Sequence, residues 1–378
     1  MKVAAEALRH VKPAVRSLGA YALAARRAVV KINQNENPYD LPEGVKRRVL
    51  EQALARPWSR YPDFDPRELL EKLAEFAGWR ADGVLAGNGS NELIEALLLV
   101  TVGPGTRVVI PEPTFTLYAL MTRILGGEAI RVGLGPELQY DAPEILRIRR
   151  ELAAPVTIVC SPNNPTGGVL APDEVARLCE DHDGLVVVDE AYHEFSGETV
   201  VPLLTKHANL VVLRTFSKAM GLAGARVGYL LASPELVREV NKARLPYNLN
   251  FFSQMAALAA LDEWKSLRAV VDQLIEARED LLYRLHRTPG VKPYDSKANF
   301  ILFEVLEADP KAVFESLYGR GVLVRDVTSY PRLSRCLRAS VGTPAENDVF
   351  LGALRHALEE QRFRSPRVDP KKPLRGRS

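Results

Sequence analysis

Cysteine is scarce in this chain, with three in 378 residues, at Cys160, Cys179 and Cys336. An odd number at wide spacing argues against a disulfide framework and a cysteine-rich zinc site, and it fits the reducing cytoplasm. Cys160 follows the apolar run Val156 to Val159 and reads as a core thiol. A dominant sign of charge is lacking too. The formal net charge is only +3, which excludes a strong electrostatic case for nucleic acid or an acidic membrane surface. Most of the excess lies in the tail from Arg362 to Arg377, read as a disordered basic terminus. Apolar runs of membrane-spanning length are absent as well. The Ala-rich patch near Tyr21 to Ala25 is ringed by Arg9, Lys12, Arg16, Arg26 and Arg27 and lacks the apolar stretch of a signal peptide. No internal repeat is visible.

What is present is the composition of a globular chain, 47% hydrophobic and 26% charged. The length suits two domains. From about Ala86 to Leu230 short apolar runs alternate with helical spacing. The runs are Arg107 to Ile110, Val156 to Val159, Leu185 to Val188, Leu210 to Leu213 and Val227 to Leu231; Asn91 to Val100 and Pro172 to Cys179 have helical spacing. This alternation predicts an α/β fold, a mostly parallel sheet with helices on both faces. One long helix is expected from about Ala256 to His286. After it, Ala298 to Phe303, Pro310 to Tyr318 and Gly321 to Arg325 suggest a smaller α+β domain. The expected division is an arm over 1–45 that packs with the small domain, a large domain over 46–270, a small domain over 271–362 and a basic tail over 363–378.

Ligands of an open α/β sheet bind beyond the carboxyl ends of its strands, and the polar residues that stand out sit there. Lys218 follows the run Leu210 to Leu213, beside Thr215 and Ser217. A lysine held at the rim of a core is placed for amine chemistry, because partial desolvation and nearby positive charge favour its neutral form. Arg226, eight residues on, supplies such charge and suits a phosphate. Asp189 closes Leu185 to Val188, and a carboxylate there needs a donor or cation. A protonated pyridine nitrogen, a helix cap or a metal would each serve, and Tyr192 is near enough to reach the same ligand. Gly87-Asn88-Gly89-Ser90-Asn91 reads as an anion-binding helix start or as a Gly-rich turn with a Ser or Asn cap. It lacks the dinucleotide spacing, and no clean strand is expected before it, which argues against a dehydrogenase. Ser161 to Gly168 is a turn in which an asparagine amide could meet a phenolate oxygen.

Asn164-Pro165-Thr166-Gly167, Asp189-x-x-Tyr192, Ser217-Lys218 and Arg226, in this order and at these gaps, resemble the fold-type I pyridoxal-phosphate aminotransferases. Asn33 to Pro38, Arg60-Tyr61-Pro62-Asp63, Leu323 to Asp326, and Cys336-Leu337-Arg338 before Val341-Gly342-Thr343 are similar to the histidinol-phosphate aminotransferase family within them. The likeness runs from about Val30 to Arg362. It implies pyridoxal 5'-phosphate as cofactor, with Lys218 as Schiff-base lysine and proton shuttle and Asp189 against the pyridinium nitrogen. Asn164 and Tyr192 would meet the phenolic oxygen and Phe115, where many relatives carry tyrosine, would stack on the ring. The cofactor phosphate would lie among Gly89, Ser90, Asn91, Thr215, Ser217 and Arg226. Tyr61 would reach the phosphate of a neighbouring subunit, implying a homodimer with composite sites. Arg325, Arg338, Asn37 and Tyr21 would face the small-molecule amino donor and keto-acid acceptor. The implied reaction is transamination between L-histidinol phosphate and 2-oxoglutarate in histidine biosynthesis. An aromatic amino acid aminotransferase and a threonine-phosphate decarboxylase are the near rivals. A regulator would need a DNA-binding domain for which no length is spare, and a silent scaffold would lack Lys218 or Asp189.

Overall fold

In the computed structural model, which describes residues 8–19, 26–181 and 184–364, the arm contributes one short strand, β1 (Val30–Lys31). Tyr21 and residues 365–378 of the tail lie outside the described residues. The large sheet is made by β2 (Val84–Gly87), β3 (Arg107–Glu112), β4 (Glu128–Gly133), β5 (Val156–Cys160), β6 (Leu185–Asp189), β7 (Leu210–Thr215) and β8 (Gly228–Leu231). Its order is β2-β8-β7-β6-β5-β3-β4. Only β8 runs against its neighbours, pairing antiparallel with both β2 and β7. The α/β class is therefore as expected.

The central strands β5, β6 and β7 are valine-rich because both their faces are covered. Val186 and Val188 pack into one hydrophobic cluster and Val187 into the other, on the opposite face. Each such side chain stabilises the fold by about 1.5–3 kcal/mol relative to leaving it in water. Two strands of this large sheet were not foreseen. The edge strand β4 carries Glu128 and Arg131 and is only partly buried, so it shows no apolar run. The strand β2, buried along its length, leads directly into Gly87-Asn88-Gly89. The expectation of no strand there is corrected; four residues are too few to display a period.

The expected single helix at Ala256 to His286 is two, Phe251–Asp262 and Trp264–His286, broken at Glu263. Both acids at the break are drawn sideways into ion pairs, Asp262 with Lys72 and Glu263 with Arg48. The second helix continues unbroken through residue 270. Beyond it come β9 (Val291–Pro293), β10 (Phe300–Val305), β11 (Val322–Leu323), β12 (Arg325–Asp326) and β13 (Cys336–Ser340). The small sheet has the order β12-β13-β10-β9, all antiparallel, while β11 pairs in parallel with β1 of the arm. Its core unites Phe303, Leu337 and Phe350 with Val30 and Ile32 from the arm. Among the described residues no helix is long and apolar enough to cross a membrane.

The parallel strands β3, β5, β6 and β7 all end at the same edge of the large sheet. β2 ends there too, because it is antiparallel to β8 and β8 to β7. The small sheet and the arm face that edge.

Candidate active site

A cavity of about 420 Å³ opens at this edge. Ser90, Asn91, Phe115, Asn164, Asp189, Tyr192, Thr215, Ser217, Lys218, Arg226, Arg325 and Arg338 all line it.

Lys218 lies three residues past β7. Its side chain borders the cavity, yet protein surrounds it, and Nζ donates to the Gln34 carbonyl at 2.9 Å. Burial is the largest cause of a pKa lowered to about 7; Arg338 and Arg226 add to it and Glu36 opposes them. The charge that Arg226 was expected to supply thus comes more from Arg338.

Asp189 is 3% exposed. Its Oδ2 accepts from the Tyr118 hydroxyl at 2.6 Å and its Oδ1 from the Ala191 amide at 3.1 Å. Burial pushes its pKa up to about 6. Tyr192 accepts a hydrogen bond from Asn35 Nδ2 at 3.0 Å, and burial holds its phenol well above the ordinary range. The amide oxygen of Asn164 accepts from Arg338 Nη1.

At the other end, Ser90 and Asn91 open the helix Ser90–Thr101 behind Gly89, which caps it without any side-chain hydrogen bond. The turn is therefore not closed by a Ser or Asn side chain. The unpaired first-turn amides and the positive end of the helix dipole favour an anion. Gly89 has φ +82°, and a Cβ there would lie 2.6 Å from Arg226 Nη2. A Cβ on Gly228 would lie 2.4 Å from the Ser90 amide. Arg226, itself at φ +53°, donates to Ser217 Oγ at 3.0 Å and to the Ala223 carbonyl at 3.1 Å. The Thr215 hydroxyl donates to Ser217 Oγ at 3.1 Å. Together these groups form a small cradle of donors.

The opposite wall comes from the small sheet, where Arg325 on β12 and Arg338 on β13 are register partners. Arg338 is buried, donates to the Asn33 carbonyl at 2.9 Å and sits 5.0 Å from the Phe300 ring centre. Arg325 is half-buried, and among the described residues its guanidinium makes no ion pair or hydrogen bond.

The model for the family "Aminotransferase class I and II" matches residues 27–354. The chain belongs to that family. The histidinol-phosphate aminotransferase of Chlorobium phaeobacteroides is 40% identical over 93% of this chain and 97% of its own length. That of Chlorobium phaeovibrioides is 38% identical over 92% and 96%. In three dimensions the chain is similar to the histidinol-phosphate aminotransferase of Sinorhizobium meliloti, solved in complex with pyridoxal-5'-phosphate. The TM-score is 0.84 at 25% identity, covering 93% of this chain and 98% of that one.

Other residues singled out in the sequence stand elsewhere in this aminotransferase. Asn37 does not line the cavity, a correction to its expected place against substrate. The chain turns through Asn35, at φ +56°, so that Asn35 faces inward. Asn37 instead donates to the Ala219 carbonyl at 3.2 Å, beside Lys218. Tyr61 is 80% exposed and stacks on Tyr247, with ring centres 4.5 Å apart. Sequence reasoning missed Asn33, Gln34, Asn35, Tyr118, Cys160, Ala191 and Tyr330 as lining residues. A signal existed for the first three, which lie in the motif that ends at Pro38. Tyr118 gave no such signal; the structure sets its ring edge-on against that of Phe115.

Proposed function

We propose that this aminotransferase transfers the amino group of L-histidinol phosphate to 2-oxoglutarate, giving imidazole acetol phosphate and L-glutamate, with pyridoxal 5'-phosphate as cofactor. One observation carries the substrate reading: two arginines in register face one cavity, in a chain 38–40% identical to histidinol-phosphate aminotransferases. Both substrates are anions, a phosphate ester and a dicarboxylate. A planar guanidinium can meet either through paired hydrogen bonds.

The donor set fits the cofactor. A dianionic phosphate suits the Ser90 helix start with Arg226, Ser217 and Thr215, a cradle that a Cβ on Gly89 or Gly228 would crowd. Asp189 suits a protonated ring nitrogen, Asn164 and Tyr192 a phenolic oxygen, and Phe115 a ring face. When bound, the cofactor supplies an aldehyde carbon for the amine and a cationic ring that withdraws electrons from the substrate carbon. Asp189 keeps positive charge on that ring. Lys218, partly neutral near pH 7, removes the proton from the substrate carbon bearing nitrogen and returns a proton later in the exchange. Arg338, fixed by Asn33 and Asn164, orients a carboxylate or phosphate, and Arg325 completes the grip.

In this reading the enzyme is a cytoplasmic homodimer, with residues 46–270 as cofactor domain and 271–362 as small domain. Support for the dimer comes from the exposed large apolar side chains Leu54, Trp58, Tyr61 and Leu245, and from the stack of Tyr61 on Tyr247. Tyr61 would reach the cofactor phosphate of the other subunit's site.

The test is a rate comparison. Purified enzyme, pyridoxal phosphate and 2-oxoglutarate should form glutamate fastest from L-histidinol phosphate. A higher kcat/KM with L-phenylalanine would favour an aromatic aminotransferase. Release of CO2 from L-threonine phosphate would favour a decarboxylase.

A further inference from the structure

Tyr118 is fully buried on the helix Leu117–Ile124, and the proposed reaction leaves it unused. Its ring meets Phe115 edge-on, with centres 5.6 Å apart and planes at 85°. Its hydroxyl donates to Asp189 Oδ2 at 2.6 Å, while the Ala191 amide holds Oδ1. The carboxylate is thus gripped at both oxygens, by donors from two elements. One donor would leave it free to rotate, because the terminal torsion of aspartate is soft. Two donors fix its plane. One short segment therefore delivers both Phe115 and the partner of Asp189.

The charge environment gives the second grip a further consequence. Burial pushes Asp189 toward its neutral form, and neighbouring Glu190 pushes the same way. The Tyr118 hydroxyl, the Ala191 amide and the Lys218 cation pull against them. Cys160, Tyr192 and Tyr140 are the other titratable groups close to Asp189, and burial holds each of them protonated. The Tyr118 phenol is itself held far above its ordinary range, by burial first and Asp189 second, so it remains a donor at any working pH.

We propose that Tyr118 is a positioning residue, whose hydroxyl holds the Asp189 carboxylate ionised and in one plane against the ring nitrogen of the cofactor. The proposal rests on the pyridoxal phosphate reading. A purely structural role would need only the ring, which phenylalanine also has.

Tyr118→Phe removes the hydroxyl and keeps the ring. We expect kcat to fall roughly tenfold, with KM for both substrates within about twofold of wild type, since no substrate contact is lost. Without its donor Asp189 is more easily protonated, so the acid limb of kcat should move to higher pH. The cofactor dissociation constant should rise, and introducing Tyr118→Phe into an Asp189→Ala background should leave that constant unchanged. Wild-type kcat, acid limb and cofactor affinity in Tyr118→Phe would overturn the proposal. So would an equal loss of affinity in the Asp189→Ala background, because the hydroxyl would then act without Asp189. Failure of the underlying reading looks different: wild type itself would take up no pyridoxal phosphate.

Discussion

On the wall built by the large sheet, Asp189, Thr215, Ser217 and Arg226 are each tied to protein donors or acceptors. On the wall built by the small sheet, Arg338 is tied to Asn33 and Asn164, whereas Arg325, its register partner, has no such tie among the described residues. The difference follows from what each wall must do in the proposed reaction. A cofactor that stays in place through both halves of an exchange gains from donors fixed in advance. A site that takes a phosphate ester and then a carboxylate gains from one fixed cation and one that can adjust.

The comparison breaks most visibly at the fixed wall. Lys218→Ala should retain pyridoxal phosphate through the cradle yet lose essentially all turnover. Borohydride reduction of wild type followed by peptide mapping should label Lys218, and label on any other lysine would sink the assignment. Asp189→Ala should come next, lowering kcat by about a hundred- to a thousandfold, a magnitude common for a preorganised electrostatic partner. Turnover within about threefold of wild type would mean that Asp189 only closes the turn at Ala191.

These two residues were legible because buried parallel strands read as unbroken apolar runs, so a charged residue at the end of one stands out. Asp189 closes β6, and Lys218 lies just beyond β7. The edge strand β4 gave no such signal, since Glu128 and Arg131 interrupt it. Tyr118 was illegible for the opposite reason: an aromatic inside a helical pattern looks like core, and only the fold reveals Asp189 behind its hydroxyl. Asn37 was expected against substrate and Asn35 was not, because the left-handed turn at Asn35, which decides the inward face, leaves no mark in the sequence. The register that sets Arg325 opposite Arg338 depends on a β12 of two residues, too short for a pattern.

A smaller effect sharpens the fixed wall's role. The neutral amine is the nucleophile, and the Lys218 pKa lies at about 7 in the cofactor-free protein. Protonation therefore slows cofactor capture as pH falls through that value, and the rate levels off above it. Between about pH 8 and about pH 5.5 the rate constant for uptake, followed by absorbance, should fall roughly thirtyfold. A rate that still climbs steeply above about pH 9 would show that the lysine keeps its ordinary basicity.

The division between a fixed and an adjustable wall is tested most directly by Arg325→Ala, measured as kcat/KM for L-histidinol phosphate and for L-phenylalanine together with cofactor affinity. A charge-assisted hydrogen bond lost from the phosphate should lower the histidinol phosphate value by roughly tenfold or more. The phenylalanine value should change by less than about threefold, and pyridoxal phosphate should bind as in wild type. An equal loss on both substrates, or a loss of cofactor, would contradict the account.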